Sequence, residues 1–126
     1  MNGLNTPAPS QKQKDTELIT AISNHLNLKT EMGKERLKVA LEAVKLFDKK
    51  QHDYGSRNIA FSDSKDLNAI GVTIRLNDKI QRMLNLSMKK IEGKESAVKD
   101  ESLEDTAIDI CNYGAILMML LKNRWN

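Results

Sequence analysis

The sequence predicts an all-α protein with four main helices in a bundle, which we expect to be oligomeric. Apolar residues recur at helical spacing in four segments, and no segment shows the alternation that is typical of a half-buried strand. The chain has 126 residues, enough for one compact domain, and its single Cys excludes a disulfide within the chain. We expect a single helical domain over residues 15–126, preceded by a flexible tail over residues 1–14.

The first half of the chain predicts two helices and a connecting loop. Leu18, Ile22 and Leu26 recur every four residues and indicate a first helix over 15–28. A second helix over 34–50 places apolar residues on one face, at positions 37, 40, 41, 44 and 47. Residues 51–66 have no helical period and are rich in small polar residues, so we interpret them as a loop with at most a short helical turn.

The second half of the chain predicts two further helices. The third runs over 66–91 and has Leu76, Ile80, Met83 and Leu84 on its apolar face. The fourth begins near residue 100 and carries a stripe of apolar and small residues at positions 103, 107, 110, 114, 117 and 121. Near its end this helix is apolar on all sides, which requires burial on all sides. We therefore expect a homodimer or a homotetramer.

The sequence carries no signal for secretion or membrane insertion. The N-terminus lacks the apolar core of a secretory signal, and the longest apolar run covers only residues 115–121. We therefore expect no membrane partner, a cytoplasmic location and a reduced Cys111.

The net charge of +3 is unevenly distributed along the chain. Residues 44–94 carry 11 Lys and Arg against 6 Asp and Glu, whereas residues 95–126 carry 3 against 6. The middle of the chain is therefore the expected anion-binding part, and we expect the acidic C-terminal segment to face it. So small a net charge does not favour a long nucleic acid as the partner.

The most informative stretch for function lies between residues 47 and 61, where three of the five aromatic residues are interleaved with cations and amides. Rings can stack on a base, cations can hold phosphate, and amides can read the base edge. Farther along, Arg75, Lys79 and Arg82 share one helix face. We predict a nucleotide site in which Tyr54 and Phe61 stack on bases and the cations hold phosphates. The candidate binding residues are Lys50, Asp53, Tyr54, Arg57, Asn58, Phe61, Arg75, Lys79 and Arg82.

The acidic residues of the fourth helix allow three interpretations. Glu101, Asp105 and Asp109 recur every four residues and therefore lie on one face. They form a solvated face, or they pair with Lys and Arg and orient these cations towards a ligand, or they bind Mg²⁺. In the metal interpretation the ligands are Glu101, Glu104, Asp105 and Asp109.

Three segments, in this order, resemble the nucleotide modification associated domain of type 1, a small phage-associated family: KKQHDYGSRN, IRLNDKIQRMLNL and ESLEDTAIDICNYGAIL. The resemblance covers roughly residues 47–121. It implies a phage or prophage origin and a nucleotide ligand. The acid-bearing helix is also distantly similar to the all-α nucleoside triphosphate pyrophosphohydrolases, which hold Mg²⁺ with ExxE on one helix and ExxD on another.

These features favour a non-catalytic nucleotide-binding protein that is encoded by a phage and located in the cytoplasm of the infected bacterium. Its concrete form is a sponge, without a cofactor, that sequesters a cyclic-nucleotide immune signal of the host. The alternative is a Mg²⁺-dependent pyrophosphohydrolase, for which Glu101 and Glu104 supply the ExxE while no partner ExxD is found. A second alternative is a helical interaction module without a small ligand.

Overall fold

In a computed structural model, residues 5–94 and 100–126 are described, with the backbone alone at 100–102. These residues form four α-helices, α1 (Gln11–His25), α2 (Glu31–Tyr54), α3 (Lys65–Ile91) and α4 (Asp100–Leu121), and a 3-10 helix, Ser56–Asn58. The described residues contain no strand. The predicted all-α fold with four main helices is therefore confirmed for this part of the chain. None of the described helices has the length and apolar character needed to span a membrane.

α1 begins four residues before its predicted start. Its first turn is stabilised by a capping box, in which the Ser10 hydroxyl accepts from the Gln13 N–H at 3.2 Å. The Gln13 side chain in turn accepts from the Ser10 N–H at 2.8 Å. Because these two bonds satisfy donors that a helix start leaves open, residues 11–14 are helical without contributing apolar side chains.

α2 continues into the segment predicted as a loop and ends at Tyr54. Phe47, Gln51 and Tyr54 keep the i, i+4, i+7 spacing, so the inner face of the helix persists although the intervening residues are polar. Gly55 then adopts a φ of 74° and terminates the helix. Residues with a Cβ rarely adopt this conformation, so a glycine suits the position.

The chain divides into two compact units. The first, Met1–Glu42, holds α1 and the beginning of α2, and the second, Ala43–Asn126, holds the remainder. In the second unit α3 packs along α4. The buried core there consists of Ile59, Val72, Ile116 and Leu120.

The C-terminal residues fold back onto the second unit. Asn123 adopts a φ of 55°, and the N–H of Arg124 bonds back to the last turn of α4, which is a common helix ending. Trp125 then packs edge-on against Phe47, with ring centroids 6.0 Å apart. Its indole N–H donates to the backbone oxygen of Ser56 at 3.0 Å. These contacts join the end of α2 and the 3-10 helix to the core of α3 and α4.

Candidate functional site

A pocket of about 350 Å³ lies within the second unit, where the end of α2 meets α3 and α4. This volume falls in the range of small-molecule sites. The end of α2 and the residues after it supply Phe47, Lys50, Gln51, Tyr54, Asn58 and Ile59. α3 and α4 supply Arg75, Lys79, Asp109, Asn112, Tyr113 and Ile116.

Helical spacing places the polar side chains on the faces that line this pocket. On α3, Arg75 and Lys79 lie four residues apart and project to the same side. On α4, Asp109 and Asn112 are followed at the i+7 position by Ile116, which belongs to the buried core. The polar residues of the pocket are therefore anchored on the same helix faces that form the core.

The carboxylate of Asp109 bridges two lysines from different helices. Its Oδ1 atom lies 2.7 Å from Nζ of Lys50, and its Oδ2 atom lies 3.0 Å from Nζ of Lys79. The Asp109 side chain is only 16% exposed, whereas Lys50 is 46% and Lys79 is 31% exposed. The acid is therefore largely buried behind two partly exposed cations.

Two opposing effects act on the pKa of Asp109. Burial raises this pKa because desolvation disfavours the charged carboxylate, but hydrogen bonds and charge attraction from Lys50 and Lys79 outweigh it. The resulting pKa lies below the ordinary aspartate value, so Asp109 is ionised at neutral pH. An ammonium group has three donors, and Asp109 occupies one on each lysine. Both lysines therefore retain donors for an anion.

Arg75 adds a third cation to the pocket wall. Its Nη1 atom donates to Oδ1 of Asn58 at 3.4 Å, a long hydrogen bond that links α3 to the 3-10 helix. Among the lining residues, Arg75 and the two lysines stand against the single carboxylate of Asp109, which leaves a local charge of +2. An excess of positive charge in a partly enclosed site attracts anions.

The aromatic residues of the pocket differ in their exposure. Phe47 and Tyr113 pack against the buried core. Tyr54, at the last position of α2, is 68% exposed beside the cations. Its ring is therefore accessible for stacking without loss of core packing.

Asn112 contributes a side-chain amide nitrogen whose donors are unused. Its Nδ2 atom is buried and has no acceptor among the described residues. Burial of an unpartnered donor disfavours the folded state by about 1–3 kcal/mol. Asn112 thus places an unsatisfied amide in the wall of a cationic pocket.

The pocket brings together five of the nine residues predicted from the sequence: Lys50, Tyr54, Asn58, Arg75 and Lys79. The other four are not among its lining residues. The Phe61 ring lies so close to Gly71 that a Cβ there would stand 2.9 Å from Cε1 of Phe61. Arg82 lines a separate shallow depression on α3, which Lys79 also borders. Asp53 and Arg57 are exposed, with the Asp53 carboxylate 3.6 Å from Nδ1 of His52.

Six lining residues were not predicted as part of the site from the sequence: Phe47, Gln51, Ile59, Asn112, Tyr113 and Ile116. A signal existed for the first two, because the spacing of Phe47, Gln51 and Tyr54 continues a helix face into the region interpreted as a loop. For Asn112 a weaker signal existed, since it follows Asp109 by three residues on the acidic face of α4.

The acids of α4 do not share one environment. Asp109 pairs with the two lysines, whereas Glu104 and Asp105 are exposed. The side chain of Glu101, the fourth acid of the metal interpretation, lies outside the described residues. Within the described part of the chain, no three His, Cys, Asp or Glu side chains lie close enough to hold a metal ion together.

Comparisons with protein-family models, with curated proteins and with solved structures find no match for this chain.

Proposed function

We propose that this chain binds a small phosphorylated nucleotide in the pocket between α2, α3 and α4 and does not hydrolyse it. The observation that carries the proposal is the Lys50–Asp109–Lys79 bridge beside the exposed ring of Tyr54. Cations that pair with a largely buried carboxylate, next to an accessible aromatic ring, match the phosphate and the base of a nucleotide.

The phosphate end of the ligand would lie against the three cations. Asp109 already pairs with both lysine ammonium groups, so less side-chain freedom would be lost when they bind an anion. Arg75 adds a planar guanidinium that suits bidentate contact with phosphate oxygens. The net positive charge of the pocket supports an anionic ligand over a neutral one.

The base end of the ligand would stack on Tyr54, with amides reading its edge. The Asn112 amide has an unpartnered donor, and rotation about its terminal torsion, which has broad minima, would direct this donor towards an acceptor on the base. Asn58 and Gln51 supply further amides along the same wall.

The specific form of the proposal is a phage-encoded sponge that acts in the cytoplasm of the infected bacterium and sequesters a cyclic-nucleotide immune signal. The sequence resemblance to the phage-associated nucleotide modification associated domain of type 1 supports the origin and the ligand class. A pocket of about 350 Å³ suits a small ligand and supports no role for a long nucleic acid. We include self-association as a homodimer or homotetramer in this proposal.

A calorimetric titration tests the binding. The purified chain is titrated with a nucleoside, its monophosphate, its triphosphate and cyclic dinucleotides, each with and without Mg²⁺. We expect at least one phosphorylated nucleotide to bind and to raise the melting temperature, and the matching nucleoside to bind far more weakly. Absence of binding by every phosphorylated nucleotide would instead favour the helical interaction module.

Whether the bound nucleotide is released intact or hydrolysed distinguishes a sponge from an enzyme. Ligand released by heat after long incubation with Mg²⁺ is analysed by chromatography, and we expect it to be intact. A hydrolysed product would favour the pyrophosphohydrolase, in which Asp109 would have to exchange lysine for Mg²⁺ and act with Glu101, Glu104 and Asp105. The pyrophosphohydrolase is retained as a second candidate because Asp109 is one of the residues that line the pocket.

A further inference from the structure

We infer that α3 pairs with α3 of a second copy of this chain in an antiparallel, two-fold symmetric dimer. The observation is an exposed apolar stripe on α3, here named the α3 stripe. Its apolar members are Leu67, Ile70, Ile74, Leu84, Met88 and Ile91. They are between 48% and 80% exposed, although they are large and apolar.

The α3 stripe has the spacing of a helix-pairing seam. Its apolar members are separated by alternating intervals of three and four residues, interrupted in the middle by Asn77 and Gln81. These two polar residues continue the same alternation, so the complete seam covers eight positions from Leu67 to Ile91. At about 1.5 Å per residue the seam is about 36 Å long.

The α3 stripe is symmetric about the level of residue 79. In an antiparallel pair centred there, Leu67 lies opposite Ile91 of the partner subunit, and Ile70 lies opposite Met88 of the partner subunit. Ile74 likewise lies opposite Leu84 of the partner subunit. Every apolar position thus meets an apolar position, which is the self-complementarity that a two-fold interface requires.

The two polar positions also match across this axis. Asn77 lies opposite Gln81 of the partner subunit, and the same contact occurs a second time by symmetry. Side-chain amides carry both donors and acceptors, so they can bond to each other. A pair of polar residues in an apolar seam fixes the register of the two helices.

The area available is sufficient for a stable pair. Six large side chains that are about half exposed or more present on the order of 100 Å² each, so two copies would bury on the order of 1,200 Å², the lower end of standard interfaces. Phe61 enlarges this surface, since its exposed ring lies on Gly71, which neighbours Leu67 and Ile74 on the helix. A second copy is therefore the occupant that the α3 stripe fits.

This dimer does not depend on the proposed nucleotide site. At 100° per residue, Lys79 lies about 180° from the centre of the α3 stripe, so the pocket and the dimer seam occupy opposite sides of α3. A failure of nucleotide binding therefore leaves the dimer untouched, and a failure of dimerisation leaves the pocket untouched.

Sedimentation velocity and light scattering test the seam through two matched variants. We expect the wild-type chain to have at least twice its 14.2 kDa mass. Ile74→Glu should reduce this mass to that of the monomer at micromolar concentration, because it places two carboxylates in the seam. Met118→Glu is the control, since Met118 is 53% exposed but lies on α4. A monomeric wild type, or dissociation by Met118→Glu and not by Ile74→Glu, would overturn the inference.

Disulfide cross-linking tests the direction of the helices. In a Cys111→Ser background, Ile70→Cys and Met88→Cys variants of different tag length are oxidised separately and after mixing. The antiparallel pair predicts cross-links only between the two different variants, since identical positions are about 27 Å apart along the seam. Cross-links between identical variants would indicate a parallel pair and refute the proposed arrangement. If the chain forms an assembly larger than a dimer, a cross-link between the Ile70→Cys and Met88→Cys variants still supports the antiparallel pair.

Discussion

Lys50 and Asp109 are separated by 59 positions in the sequence and by 2.7 Å between Nζ and Oδ1 in the structure. The contact joins the end of α2 to the middle of α4, and Lys79 on α3 completes it from the other side of the carboxylate. One largely buried acid therefore brings together cations from two helices in the wall of this pocket.

We expect Asp109→Asn to lower the free energy of unfolding by about 1 kcal/mol at pH 7, since two charge-assisted hydrogen bonds lose their charged acceptor. Folding lowers the pKa of Asp109, so the folded state binds its proton less readily than the unfolded state does. The stabilisation is complete above the ordinary aspartate pKa of about 3.9 and is lost as the pH falls through the lower folded-state value.

Urea unfolding of wild type and Asp109→Asn at several pH values measures this dependence. The difference in unfolding free energy between the two proteins should be constant from pH 7 to about pH 5 and should shrink towards about pH 3 and below. Asp105→Asn is the control, because Asp105 is exposed. A difference that stays constant down to the acid limit would contradict the ionic bridge.

Removal of one cation should weaken nucleotide binding without abolishing the fold. We expect Lys50→Gln to raise the dissociation constant of the best nucleotide at least tenfold, because a charge-assisted hydrogen bond contributes about 1.5–3 kcal/mol. Lys49→Gln is the matched control, since this neighbouring lysine is not among the residues that line the pocket. Calorimetry at two salt concentrations should show a smaller salt dependence for Lys50→Gln than for Lys49→Gln. Equal affinities of the two variants would remove Lys50 from the site.

Substitutions of Tyr54 can test stacking on the ligand without disturbing core packing, because the Tyr54 ring is mostly exposed. We expect Tyr54→Ala to weaken nucleotide binding by about 1–3 kcal/mol, the usual contribution of a base stacked on an aromatic ring. Its melting temperature should change little, and Tyr54→Phe should retain the affinity because it keeps the ring. If Tyr54→Phe loses as much affinity as Tyr54→Ala, the hydroxyl and not the ring contacts the ligand.

The helices could be predicted from the sequence because their periodicity is a local property. α3 is found at its predicted place, since its apolar positions repeat at helical spacing over many turns. The end of α2 could not be predicted as well, because polar residues between Phe47 and Tyr54 obscure a face defined by only three positions. The start of α1 depends on a capping box rather than on apolar residues.

The site could be predicted in part, for a physical reason. Residue types identify cations and rings that can bind a nucleotide, so Lys50, Tyr54 and Lys79 are found from composition and spacing. Which of them meet is a tertiary property. Phe61 and Arg82 are likewise an aromatic ring and a cation, but they are not among the residues that line the pocket. The lack of an acceptor for the Asn112 amide has no signature in the sequence, because it is defined by the surroundings of that side chain.

The contact between Phe61 and Gly71 predicts a coupling between two substitutions. Gly71→Ala in a Phe61→Ala background should stabilise the protein by about 1 kcal/mol, the helix propensity difference between Ala and Gly. In the wild-type background the gain should be smaller, because the new Cβ would stand 2.9 Å from the Phe61 ring and displace it. Thermal unfolding of the four proteins gives the coupling energy as a double-mutant cycle. Strict additivity would show that the two residues are not in contact in solution.

Asn112→Leu should lower the affinity for the nucleotide without lowering the stability of the ligand-free protein. The Nδ2 atom of Asn112 is buried without an acceptor among the described residues, so a Leu of similar size removes an unsatisfied donor from the interior. We expect the ligand-free Asn112→Leu protein to be at least as stable as the wild type in urea unfolding. Nucleotide affinity should fall at least tenfold, because the amide that would contact the base is lost.

Asn68→Leu provides the matched control for this substitution. Asn68 is also a buried amide, but its Oδ1 atom accepts from the Ser62 N–H at 3.0 Å and its Nδ2 atom donates to the Ser62 backbone oxygen at 3.0 Å. The same change should therefore destabilise the protein by about 2 kcal/mol or more, because the Ser62 groups lose their partner. A comparable loss of stability in Asn112→Leu would mean that the Asn112 amide supports the fold and is not reserved for a ligand.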